Sequence, residues 1–215
     1  MDPKVYNLLI FFFKRFGKKS YPKEKVFIKP EDKKIFFLTK GVVRMFNPKD
    51  RRDITLNIHR EGSLFPMFPI FGIRSSYAYE SLTEAEGYFS KVLDFKKFLD
   101  KNPLILLDLL KRIYLGFDGF YRMYETLLFG DAYTKVLTSL IIHARRFGKK
   151  ENGVINFDWN LTHRRLASQT GLARESVTKE IKKLQDKKLV EYRGRKMIIF
   201  DLLKLENESF SHLTS

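Results

Sequence analysis

The chain has 215 residues, enough for one large domain or two small ones. Apolar residues make up 44%, so a core can form, and a formal net charge of +16 favours a polyanionic partner, nucleic acid ahead of an anionic membrane. There is no cysteine, which excludes disulfides, cysteine-ligated zinc, iron–sulfur clusters and thiol catalysis and fits a reducing cytoplasm.

Residues 5–13 are apolar but far short of the roughly 20 that span a bilayer. They are expected to form a short helix packed on the first domain. Lys14, Arg15, Lys18 and Lys19 keep a membrane-surface role open. From about Tyr21 to Phe95 the pattern changes to short apolar or alternating runs. Residues 26–28, 35–38, 41–46, 54–58, 77–79 and 87–93 read as strands, with Pro22, Pro30, Asn47-Pro48 and Glu61-Gly62 as breaks. Many short strands with turns between them predict a barrel, roll or sandwich.

A short helix is expected over 94–99, and Asn102-Pro103 suits a helix start. Beyond it, Leu106, Leu110, Ile113, Phe117, Phe120, Tyr124 and Leu127 follow a 4-3-4-3-4-3 spacing. Such an a/d seam suits self-association, although the same stripe could pack on its own β domain. Gly116, Gly119 and Gly130-Asp131 are candidate hinges. An amphipathic helix over 132–147 turns Val136, Leu137, Leu140, Ile141 and Ala144 inward, a loop spans 148–153, and a short strand is expected at 154–157.

The densest basic stretch is 160–196, with 11 basic and 4 acidic residues. Thr162 is a plausible N-cap, Leu166 and Ala167 give the next helix an inner face, and Gly171 suits a left-handed turn. Leu172 plugs that turn. From about 173 to 187 a second helix places Arg174, Glu175, Thr178, Lys179 and Lys182 on one side, over an arc of roughly 140°. Val177, Ile181 and Leu184 lie on the other. Helix, glycine turn and basic helix describe the DNA-binding helix-turn-helix. Residues 189–192 and 196–200, joined by Arg193-Gly194-Arg195, read as a hairpin wing.

On these residues the chain resembles the Crp/Fnr family of bacterial transcription regulators, the cyclic-AMP receptor type. The Thr162 start, the Gly171 turn, the run from Arg174-Glu175 to Lys179 and the 196–201 hairpin sit at the family's spacing. Residues 21–46 look like the start of its β-roll and 102–128 like its dimer helix. The resemblance implies an α+β protein in three parts. These are a cyclic-nucleotide-binding-like β-roll with its N-terminal helix (1–102), a dimerisation helix (103–130) and a winged helix-turn-helix (131–215). It implies a cytoplasmic homodimer joined through 103–129, with double-stranded DNA and RNA polymerase as partners, no membrane partner and no enzymatic activity.

In that setting Arg174 can offer two donors to guanine, Glu175 can accept from cytosine, and Lys179 stands where the family commonly has Arg. Ser176, Thr178, Lys182, Thr162, His163, Arg164, Arg193 and Arg195 become candidate backbone contacts. In relatives that bind cyclic AMP, a Gly-Glu pair holds the ribose; here Pro66-Met67 occupies that place. Arg74-Ser75 resembles the phosphate pair, and Phe120 and Tyr121 fall near the base-contacting hydroxyls. Cyclic AMP is therefore not expected, and no cofactor is. Leu64 and Phe65, in a Phe-rich loop over 64–73, could line an effector pocket with Arg74, Ser75, Phe120 and Tyr121, or could fill the roll instead. A haem would want an axial ligand, but His59, His143 and His212 each stand alone. A different reading is a small-molecule-binding signalling module that holds nucleic acid without sequence preference.

Overall fold

The computed structural model describes residues 1–49, 54–157, 159–194 and 196–213, the last four by backbone alone. The chain forms two compact units, Met1–Gly116 and Phe117–Ser215.

The first unit opens with α1 (Pro3–Lys14), capped by Asp2, whose carboxylate accepts from the Lys4 amide at 2.7 Å. The strands that follow are β1 (Lys18–Tyr21), β2 (Val26–Ile28), β3 (Lys34–Lys40), β4 (Val43–Phe46), β5 (Thr55–His59), β6 (Leu64–Phe65), β7 (Ala78–Ser81) and β8 (Ala85–Lys91). They form two antiparallel sheets, in the orders β1-β8-β3-β6 and β2-β7-β4-β5.

Why β3 is an unbroken apolar run follows from the period of two. Ile35 and Phe37 face one way, into a core built with Val5, Leu9, Phe12 and Phe13 of α1 and with Phe95 and Leu99 of α2 (Val92–Asp100). Phe36 and Leu38 face the other way, against Ile28, Val43 and Tyr79 of the second sheet. Both faces are covered, so alternation between apolar and polar is lost.

Helix α3 (Pro103–Phe129) runs unbroken for 27 residues. Its start joins the first core through Ile105. Arg112 ties it to the roll: Nη1 donates to the Gly62 carbonyl at 2.9 Å, and Nε pairs with Asp108 at 2.8 Å. Gly116 and Gly119 lie within the continuous helix, and a Cβ at either would meet nothing within 4 Å. The a/d residues from Leu106 to Leu127 are all exposed, by 44 to 60%. For Leu106, Leu110 and Ile113, which lie in the same unit as the β domain, the alternative of packing on that domain does not hold. The boundary between compact units also falls inside the helix rather than at its ends.

At Gly130 the chain turns where a Cβ would sit 2.6 Å from the Thr126 carbonyl oxygen. Asp131 then caps α4 (Ala132–Phe147), accepting from the Thr134 amide and hydroxyl, each at 2.8 Å. Val136, Leu137, Leu140 and Ala144 are buried as expected, and Ile141 is half-buried. The expected loop at 148–153 is in part a strand. Here β9 (Lys149–Glu151) pairs with β10 (Val154–Asn156), and the sheet is completed as β11-β12-β10-β9. All three side chains of β9 are exposed, so backbone pairing alone marks it. Strand β1, also outside the expected strands, is explained the same way.

Candidate nucleic-acid interface

Helix α5 (His163–Thr170) begins at Thr162, whose hydroxyl accepts from the Arg165 amide at 3.3 Å. It ends at Gly171, held at φ 69°, where a side chain would be strained, and its amide returns to the Ala167 carbonyl. Leu172 is half-buried in the turn. Helix α6 (Arg174–Asp186) follows, with Val177, Ile181 and Leu184 fully buried. Burial of such side chains contributes about 1.5–3 kcal/mol each, and it fixes which face of α6 points outward.

That outward face carries Arg174, Glu175, Thr178, Lys179 and Lys182, all exposed; Ser176 is half-buried. Among the described residues, the side chains of Arg174, Glu175, Lys179 and Lys182 have no hydrogen-bond or ion-pair partner. Two further cations, Lys183 of the helix and Lys187 at its C-cap, are paired. Lys183 pairs with Glu180 at 2.6 Å, and Lys187 with Glu208 at 2.5 Å. Both also stand over the Tyr133 ring. Ala173, at the N-cap of α6, supplies no capping side chain, which leaves the first amides of the helix to an outside acceptor such as a phosphate.

Thr178 and His163 are engaged with one another. The Thr178 hydroxyl is 2.9 Å from the Arg174 carbonyl and 2.8 Å from His163 Nδ1. Arg164 is exposed. The wing is β11 (Val190–Arg193) and β12 (Lys196–Ile199), in antiparallel register. Arg193, exposed, pairs with the half-buried Glu191 at 3.2 Å. Arg195, expected beside it at the tip, lies outside the described residues. The Tyr192 hydroxyl donates to the Leu161 carbonyl at 2.7 Å, which ties the wing to the entry of α5.

Several residues that hold this unit together escaped the sequence reading. Glu180 is buried beneath α6. At about 100° per residue it lies roughly 40° from Leu184, close enough to the inner face to have been found. Gln169 of α5 accepts from His143 Nε2 on α4 and from the Ser139 hydroxyl at 3.3 Å. Burial, partly offset by Gln169, lowers the His143 pKa to about 4. The Trp159 ring packs at its edge, and the Arg165 guanidinium lies over that indole.

The six residues considered for an effector pocket are divided between the two units. Leu64 belongs to the core beneath α1. Phe65 belongs to the core between the sheets, stacked on Tyr79 and close to the His59 ring. Both fill the roll rather than line a space in it. Arg74 is exposed, and the Ser75 hydroxyl accepts from the Tyr77 amide at 3.1 Å. Phe120 and Tyr121 are exposed residues of the second unit.

A helix-turn-helix with a wing, in a chain that also carries a β-roll and a long exposed helix, defines a DNA-binding transcription regulator. Residues 134–208 match the Crp-like helix-turn-helix domain. Over 195 residues the chain is 24% identical to the global nitrogen regulator of Nostoc sp., covering 88% of this chain and 87% of that one. It is 24% identical over 175 residues to the CRP-like cAMP-activated global transcriptional regulator of Mycobacterium tuberculosis, covering 80% and 78%. A CooA variant from Carboxydothermus hydrogenoformans shares the fold, with a TM-score of 0.75 at 19% identity over 91% of this chain and 88% of that one. Residues 134–208 thus belong with the Crp-like helix-turn-helix domains, and the chain as a whole is similar over most of its length to transcription regulators that carry one.

Proposed function

We propose that the protein acts as a homodimer joined through α3 and reads a two-fold symmetric DNA operator with one α6 in each half-site. The observation that carries this reading is the division of side chains on α6. Its apolar residues are fully buried, while Arg174, Glu175, Lys179 and Lys182 stand outward and unpaired. A helix so held fits a groove about 12 Å wide, and its first turns reach base edges. Arg174 and Glu175 suit a guanine and a cytosine; Lys179 reads more loosely, as a point charge rather than a planar fork. Thr162, Arg164, Lys182 and the wing fix the register on phosphates.

The exposed a/d seam supports pairing of two copies, since a continuous apolar stripe in water is a liability unless covered. Two recognition helices so joined would read half-sites about 34 Å apart. Bound there, in the cytoplasm, the dimer would act on transcription through RNA polymerase. Relatives carry names that speak of nitrogen regulation and of cyclic AMP. Pro66-Met67 in place of a ribose-binding pair, with Leu64 and Phe65 in the cores, argues against cyclic AMP as the effector of this chain. Any effector must bind two dimer arrangements with different affinity in order to act.

Selection of bound duplexes from a random DNA pool by the full chain tests the reading. An enriched inverted repeat is the expected result. Recovery of DNA without sequence preference would replace it with non-specific nucleic-acid binding.

A further inference from the structure

His163 sits where three parts of the DNA-binding unit meet. It is the first residue of α5, directly after the Thr162 cap. Its Nδ1 lies 2.8 Å from Thr178 Oγ1 on α6. That hydroxyl donates to the Arg174 carbonyl at 2.9 Å, so towards the imidazole it offers a lone pair and accepts. The proton of a neutral His163 is therefore on Nδ1, and Nε2 is the nitrogen that titrates. The ring meets Tyr192 of β11 edge to face, at 5.2 Å, and the Tyr192 hydroxyl is held by the Leu161 carbonyl. Ring position and tautomer are both set by neighbours rather than by solvent.

We infer that His163 takes up a proton when the unit engages DNA, Nε2 then donating to a backbone phosphate, so that affinity for DNA rises as pH falls through the neutral range. The inference rests on the docking proposed above, in which the start of α5 meets the phosphate backbone, as the first helix of a helix-turn-helix does. A neutral Nε2 presents a lone pair to a phosphate oxygen and repels it. A protonated one presents a charged donor, the stronger kind of hydrogen bond.

The charged groups around the ring are cations, and they oppose a further positive charge in the free protein. From α6 the facing groups are Thr178, which is neutral, and Arg174, a cation. From β11 it is Tyr192, whose pKa burial pushes up, so it too stays neutral. On its own helix Arg164 follows in sequence. Burial, and next the Arg174 guanidinium, hold the imidazole below its ordinary pKa. The free protein at neutral pH thus carries His163 uncharged. A phosphate beside it reverses the balance and also draws Arg174 into its own contacts. Linkage then requires affinity to rise as pH falls from the bound pKa towards the free one, by up to about tenfold per pH unit for each half-site.

The test is fluorescence anisotropy with the full chain and one selected duplex, at constant ionic strength, between about pH 6 and about pH 8.5, the span over which histidine titrates. The wild type is expected to bind more tightly as pH falls. His163→Gln should bind with a flat profile at the weak end, and His163→Arg with a flat profile at the tight end. A His163→Gln profile parallel to that of the wild type would overturn the inference. Should the variants fail to fold, the imidazole resonances of the wild type decide. A His163 pKa raised on DNA binding supports the proton uptake, and one unchanged or lowered ends it. Tight sequence-specific binding with no pH dependence removes this inference alone. No specific binding at any pH removes the docking reading, and this with it.

Discussion

The Tyr133 hydroxyl, at the start of α4, donates to Glu208 Oε1 of α7 (Leu202–Leu213) at 2.7 Å. The same carboxylate oxygen takes the Lys187 ammonium at 2.5 Å. Lys187 follows the last residue of α6, so this one acid links the end of the recognition helix to two other helices. Burial, with Glu208 as the next cause, pushes the Tyr133 pKa up, which keeps the hydroxyl a donor at any physiological pH. Replacing Glu208 by Ala leaves a buried hydroxyl short of its acceptor and should cost about 1–2 kcal/mol. Denaturant unfolding measures that loss. DNA affinity should fall with the order of preferred sequences unchanged, because no outward-facing side chain of α6 is altered.

His143 makes the DNA-binding unit sensitive to acid. Its folded pKa, lowered to about 4, lies below the usual value of 6.5. Protons therefore bind the unfolded chain more readily. Stability is full above about pH 6.5 and is lost as pH falls towards about 4, by about 3 kcal/mol in all. Thermal melts across that span should show the second unit losing stability. The loss attributable to His143 should vanish in His143→Gln, whose amide does not titrate. A wild type and variant with the same acid slope would refute the assignment.

The seam on α3 gives a sharper test of assembly. Ile113 is at a d position and half exposed, at 49%. Ile113→Asp would set two carboxylates against each other at the centre of a paired seam, with little effect on a lone chain. Sedimentation at micromolar concentration should find the wild type dimeric and the variant monomeric. Thermal stability of the β-roll should be preserved, since Ile105 and Arg112, which tie α3 to its own unit, are untouched. A monomeric wild type would refute the pairing.

Legibility in the sequence followed burial. The span of α4 and the two faces of α6 could be read because one side of each is apolar and the other is not. β3 could be recognised as a strand, but not which face went where, because both of its faces are covered. β1, with Lys18, Lys19 and Ser20 exposed, and β9, Lys-Lys-Glu throughout, could not be read at all. Their order comes from backbone pairing and, for β1, from the Lys18 pair with Glu86, neither of which leaves an apolar period. At the interface the outward cations were legible from helical spacing. The paired ones were not: Lys183 and Lys187 resemble Lys179 and Lys182 in sequence and differ in having Glu180, Glu208 and the Tyr133 ring to meet. The contact between His163 and Thr178 spans 15 residues and depends on how α5 and α6 pack, which no local pattern encodes.

Base readout and phosphate contact separate in paired substitutions on α6. Arg174 is unpaired and stands on its first turn, with the donor fork that guanine O6 and N7 accept. Arg174→Ala should cost about 1–3 kcal/mol against the preferred duplex and little against one altered at the base pair it reads, so that preference relaxes at that position alone. Lys182, two turns further on and equally unpaired, should behave otherwise. Lys182→Ala should weaken binding to all sequences by a similar factor and lower the slope of log affinity against log salt by about 1 per half-site. Binding isotherms for a panel of single-base variants at two salt concentrations supply both quantities. If Arg174→Ala weakened every duplex equally and shared the salt signature of Lys182→Ala, α6 would be gripping the backbone rather than reading bases, and the sequence preference would have to come from elsewhere on the unit.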